Sequence, residues 1–115
     1  MNRIEKEGRM RKVSYEAYAN QAFRFYARND SIMLPAPAKE QAISSIDVLN
    51  WTVCHEVLSG MDNRQKAAIL DIYRRVGSIQ ENVAYAAATH NMPENKLWQL
   101  LSSTSKLFAK SRGLL

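Results

Sequence analysis

Apolar residues recur at intervals of three and four along most of this chain, and no bounded run alternates apolar with polar positions. The pattern predicts helices and no strands, and no Asn-Gly or Asp-Gly hairpin turn contradicts it. The first predicted helix spans 14–29, with Ser14 as N-cap. Tyr15, Tyr18, Ala19, Ala22, Phe25 and Tyr26 lie on one face and Phe23 thickens it. Residues 31–37 contain Pro35 and Pro37, which push their predecessors out of the α region and predict an extended connector. The second helix is expected over 38–59. Ile43, Ile46, Leu49, Val53 and Val57 form its stripe, Ala42 and Leu58 widen it, and Gly60 is the expected left-handed stop.

Asp62 or Asn63 then caps a third helix running to residue 75. Ile69, Ile72, Tyr73 and Val76 should face inward while Arg64, Lys66, Arg74 and Arg75 stay in water, and Gly77 should close it. Ser78 followed three residues later by Glu81 is a capping box, which opens a fourth helix ending near residue 90. Asn91 tolerates positive φ and Pro93 suits the start of a helix. The fifth helix is expected over 93–111, with Leu97, Leu100, Leu101, Thr104 and Phe108 on its inner stripe and Gly113 beyond its end. The fold expected is all-α, five helices in one domain. Residues 1–13 lack an apolar stripe and read as a basic arm, 14–60 as a helical half for docking or dimerisation, and 61–115 as a C-terminal helical unit.

Length and composition narrow the classes. A chain of 115 residues can bury an ordinary core without staples, and its single cysteine excludes internal disulfides. No apolar run reaches the ~18 residues needed to span a bilayer, and 1–13 lacks the apolar segment of a signal peptide. The expectation is a soluble cytoplasmic protein with no membrane partner. The net charge of +5 is uneven, at +3 over residues 1–13, −2 over 14–60 and +4 over 61–115. Basic ends flanking a slightly acidic middle are the footprint of a polyanion binder.

The spacing from Ala87 to Leu100 carries the strongest functional signal. Ala87 is small where two helices would cross, Asn91 can take positive φ four residues on, Met92 can plug the angle, and Leu97 and Leu100 sit on the inner face of the second helix. This describes a C-terminal helix-turn-helix.

On these residues the segment 62–114 resembles region four of bacterial sigma factors and related regulators of phages and mobile elements. The resemblance makes 63–75 a support helix, 78–90 the first helix of the motif and 94–112 the recognition helix. Asn91 stands where that family usually has glycine, and His90 where it has an apolar residue. Residues 1–60 match no sigma region, which points to a small, phage-derived regulator and not a full sigma factor. The implied ligand is double-stranded DNA. The recognition helix would enter the major groove, with Glu94, Asn95, Lys96, Gln99 and Ser103 reading bases. Arg64, Arg75, Lys106, Lys110 and Arg112 would hold phosphates.

Blander alternatives stand beside this. The polar residues of 94–112 could be an ordinary solvated face, and the same fold could serve as an adaptor that grips RNA polymerase or another host protein. Met10, Met33 and Phe23 would then be candidate contacts. The second helix with Trp51 offers a homodimer interface. Trp98 and the aromatic residues of 14–29 suit packing better than base stacking, and His90 suits contact with the last carbonyls of its helix. Cys54 and His55 are adjacent but have no partner cluster, so no metal or other cofactor is expected. No carboxylate pair, nucleophile with an oriented base or phosphate-cradling loop emerges, and the sequence predicts no enzyme.

Overall fold

The computed structural model describes residues 11–29 and 45–115, and these form five α-helices and no strand. They are α1 (Lys12–Asn29), α2 (Ser45–Ser59), α3 (Asn63–Arg74), α4 (Ile79–Thr89) and α5 (Glu94–Arg112). Most of the basic arm, the proline-bearing connector, the expected start of α2 with Ala42 and Ile43, and Met10 and Met33 lie outside the described residues.

Helix α1 is the hub, packing against α2, α3 and α5, while α4 packs on α3 and α5. It begins at Lys12, not at a cap on Ser14. Tyr15 N–H donates to Arg11 O at 2.9 Å, an i to i−4 bond that places Ser14 inside the first turn. Its buried face is Tyr15, Ala19, Ala22, Phe23, Tyr26 and Ala27, with Tyr18 and Phe25 half-buried. Phe23 stacks on Tyr73 of α3 at 5.5 Å and tilts against Phe108 of α5 at 5.6 Å. It joins three helices at the centre of the core, so it is no docking residue.

Helix α2 shows the largest departure from expectation. Its buried face holds Asn50, Trp51, Val53, Cys54, Val57 and Leu58, whereas Ile46 and Leu49 are 57% and 47% exposed. Val53, Val57 and Leu58 of the expected stripe are thus buried, while Ile46 and Leu49 nearer its start stay at the surface and Asn50, Trp51 and Cys54 join the buried face. Trp51 stacks on His55 (5.1 Å, 6°) and tilts against Tyr26 of α1 at 5.3 Å. Its burial removes it from any exposed dimer face. Asn50 can be buried because Arg112 Nε of α5 donates to its Oδ1 at 2.6 Å, and its own Nδ2 donates to the Tyr18 hydroxyl at 3.3 Å. Gly60 does not take positive φ. The chain instead leaves α2 through Gly60 N–H to Val57 O and Met61 N–H to Leu58 O.

Asp62 is the N-cap of α3, accepting from Gln65 N–H at 2.8 Å. Ala68, Ile69, Ile72 and Tyr73 form its buried face. Val76 is 87% exposed, because the helix stops before it with Arg75 in extended conformation. What finishes α3 is a side chain from the next helix: buried Asn82 donates Nδ2 to Ile72 O at 2.9 Å and to Arg75 O at 3.1 Å. These are carbonyls that a helix C-terminus leaves without partners. Gly77, at φ 121°, makes the turn between them, and a Cβ there would stand 3.2 Å from Glu81 Oε1 and 3.4 Å from Asn82 Oδ1. The expected capping box is present, with Glu81 N–H donating to Ser78 Oγ and Ser78 N–H to Glu81 Oε1. Among the described residues no helix is long and apolar enough to cross a membrane.

Candidate nucleic-acid interface

Helix α4 ends in a turn whose geometry follows from Asn91. This residue has φ 55° and is the sole non-glycine residue at positive φ among those described. The reversal lets Met92 N–H return to Ala87 O at 2.9 Å while His90 N–H bonds Ala86 O at 2.8 Å. This is the six-to-one bond of a Schellman ending, normally built on glycine. Met92 is then half-buried against the core, and α5 begins after Pro93 with no side chain capping its first turn.

Helix α3 grips this turn from outside. Arg64 donates Nε and Nη2 to His90 O at 3.2 and 3.0 Å, and Nη2 also donates to Asn91 O. Two turns further along the same face, Asp71 accepts from His90 Nε2 at 2.6 Å. The imidazole of His90 thus ties α4 to α3 and does not turn back on its own helix carbonyls. Both ends of the α3 face hold the segment from which α5 departs.

Leu97, Leu101, Thr104, Ser105, Phe108 and Ala109 bury one side of α5. On the opposite side Asn95, Gln99, Ser103, Lys106 and Lys110 are all exposed. Their spacings of four, four, three and four place them on one continuous stripe. Two amides and a hydroxyl come first and two ammonium groups follow. None of the three lysines of α5 has a carboxylate partner among the described residues. Lys96 is exposed on the edge nearest α3, and exposed Glu94 stands at the first turn on the side of Leu97 and Trp98, away from the stripe, where a carboxylate favours the helix dipole.

The residues predicted from sequence are therefore only partly gathered. Asn95, Gln99, Ser103, Lys106 and Lys110 share the stripe, and Arg64 and Lys96 lie at its α3 edge. They line an open cleft of about 360 Å³ with Gln65, Met92, Pro93, Gln99, Leu100 and Ser103. Arg75 is elsewhere, its guanidinium 3.6 Å above the ring of Tyr85 on α4. Arg112 is directed inward, donating to Asn50 and, at 3.0 Å, to the Tyr18 hydroxyl. Gln65 and Met92 were missed as lining residues. A capped α3 start and a left-handed turn are each visible in sequence, but nothing local says that the two adjoin.

A second, smaller cleft of about 130 Å³ lies on the other flank of α5. Trp98, Leu101, Ser102 and Ser105 face Ile79 and the α1 residues Glu16 and Asn20 across it. Trp98 is 42% exposed at its rim. The Cys54 thiol is fully buried and burial pushes its pKa up. Among the described residues no three His, Cys, Asp or Glu side chains group as metal ligands.

Comparison with protein-family models, curated proteins and solved structures finds no match.

Proposed function

We propose that this protein is a DNA-binding regulator of transcription that uses α4, the Asn91 turn and α5 as a helix-turn-helix. The observation that carries this is the unpaired polar stripe Asn95–Gln99–Ser103–Lys106–Lys110 on the outward face of a helix whose start is fixed by α3. An α-helix fits the major groove, where Asn95 or Gln99 can pair with adenine N6 and N7 and Ser103 with either donor or acceptor edges. Lys106 and Lys110, further along, hold phosphates and fix register. Lys96 stands at the edge of the reading stripe, and Glu94, at the very start of the helix, is the one carboxylate near it suited to accept from cytosine N4. The resemblance to sigma region four supports the same docking, and a phage-derived origin and a cytoplasmic site of action belong to that same proposal.

Fluorescence anisotropy of the full chain with a random duplex of about 30 base pairs tests it. Micromolar affinity that falls ~10-fold or more between about 50 and 200 mM salt is expected of a phosphate-dominated contact. Absence of binding at the lower salt overturns the proposal.

One set of observations favours a second reading, an adaptor that grips RNA polymerase or another protein. Ile46 and Leu49 on α2 and Leu107 on α5 are each about half exposed. Aliphatic contacts of this kind would make binding nearly indifferent to salt, and the α2 pair is also where a homodimer would form.

A further inference from the structure

The two flanks of α5 differ in charge, and this difference bears on how DNA would sit against it. A helix lying in a major groove about 12 Å wide has a sugar-phosphate wall on either side. On the α3 side the wall would meet the cleft that holds Arg64 and Lys96 with the side chains of Gln65, Gln99 and Ser103. On the other side it would meet Trp98, Ile79, two serines and Asn20, and the single charged lining residue there is the carboxylate of Glu16. Of the two clefts, only the first is lined by cations among the described residues.

Within that cleft the two cations have different duties. The Arg64 guanidinium is already engaged through Nε and Nη2 by His90 O and Asn91 O. These bonds hold it against the turn, where it lines the cleft together with Lys96. Lys96 has no partner among the described residues. At roughly 100° per residue it lies on the edge of the stripe, next to Ser103 seven residues on, and it lines the cleft with Arg64 of α3. The backbone adds to the same field, since the first turn of α5 begins at Pro93 without a side-chain cap and its N–H groups carry partial positive charge. The start of α4, by contrast, is closed by its own Ser78–Glu81 box.

We infer that the Arg64–Lys96 cleft seats a backbone phosphate of one DNA strand, which makes Lys96 a phosphate ligand and not a base reader. This rests on the DNA-binding reading above and assigns the strand that lies over α3. Its consequence is a distinct salt signature, because a phosphate ligand contributes to the slope of log affinity against log salt on any sequence, and a base reader does not.

The test is that slope for the full chain, measured by anisotropy on a random 30-base-pair duplex for wild type, Lys96→Ala, Lys96→Arg and, as a control for loss of one charge elsewhere, Arg28→Ala. Arg28 is exposed near the end of α1. The inference expects Lys96→Ala to bind random DNA about 5- to 10-fold more weakly and to lower the slope by about 0.9. Lys96→Arg should restore the wild-type slope, and Arg28→Ala should keep it. A Lys96→Ala slope equal to wild type, with wild type binding normally, overturns the phosphate seat and leaves the DNA-binding reading standing. Failure of wild type to bind at all overturns that reading and the seat with it.

Discussion

Arg64 holds Asn91: a guanidinium at the start of α3 donates to the carbonyl of the one non-glycine residue that takes positive φ among those described. They are 27 positions apart, and the segment between them includes two helix ends and the whole of α4. The direction in which α5 leaves the turn is thus set by a backbone reversal and by a side chain that clamps it.

The reversal predicts opposite outcomes for two small substitutions. Asn91→Ala should lose about 1 kcal/mol, since alanine meets the steric cost of left-handed backbone that asparagine partly avoids. Asn91→Gly should be neutral or slightly stabilising. Urea unfolding followed by circular dichroism distinguishes them, and equal loss in both would mean that the Asn91 side chain matters more than its φ.

The clamp predicts a cost without a change in the core. Arg64→Ala should destabilise by about 1 kcal/mol, at the modest end for hydrogen bonds to a charged group because the site is exposed. Arg64→Lys should recover little, since an ammonium cannot span two carbonyls as the planar fork does. Unfolding midpoints of the two variants check this.

Asn82 is the polar residue on which the α3–α4 corner depends. Asn82→Leu keeps the approximate volume but strips Ile72 O and Arg75 O of their donors, and should cost about 2–3 kcal/mol. Asn82→Asp should cost at least as much, because a buried carboxylate would face the same carbonyls. Thermal or urea unfolding reads both directly.

Burial raises the pKa of Cys54 above its ordinary value, and burial first, then the neighbouring Cys54, raises that of Tyr73. Each group stays protonated when folded and ionises earlier when unfolded. Their contribution to stability is therefore complete below the unfolded pKa values, near 8.5 for the thiol and 10 for the phenol, and is lost as pH rises beyond them. Stability should fall by about 1.4 kcal/mol per pH unit per group above those values. Cys54→Ala, though less stable at pH 7, should lose about 2 kcal/mol less than wild type between pH 7 and 10. Parallel pH profiles for the two proteins would contradict the assignment.

The sequence made legible those features written in neighbouring residues. Asp62 capping Gln65, the Ser78–Glu81 box and the left-handed Asn91 each depend on residues a few positions apart, and each is where the spacing puts it. The buried face of α5 likewise follows from its periodicity. What escaped depends on distant partners. A stripe drawn by hydrophobicity rejects Asn50, yet Arg112, 62 positions away, makes its burial acceptable, and of the stripe itself Val53 and Val57 are buried while Ile46 and Leu49 are left exposed. Val76 continues the apolar spacing of α3 on paper, but the helix ends before reaching it, where Asn82 supplies the carbonyl donors. The candidate site divides in the same way. Its stripe on α5 was legible as a spacing, whereas the engagement of Arg64 by the turn and of Arg112 by Asn50 was not.

The central claim is that the outward stripe of α5 is the face that meets DNA, and amide chemical-shift mapping of the ¹⁵N-labelled full chain against a 30-base-pair duplex tests it most directly. The account predicts that the largest shifts fall on residues 90–110, concentrated at Asn95, Lys96, Gln99 and Lys106, with α2 unaffected. Shifts centred on Ile46 and Leu49, or none at a DNA excess in low salt, would contradict it.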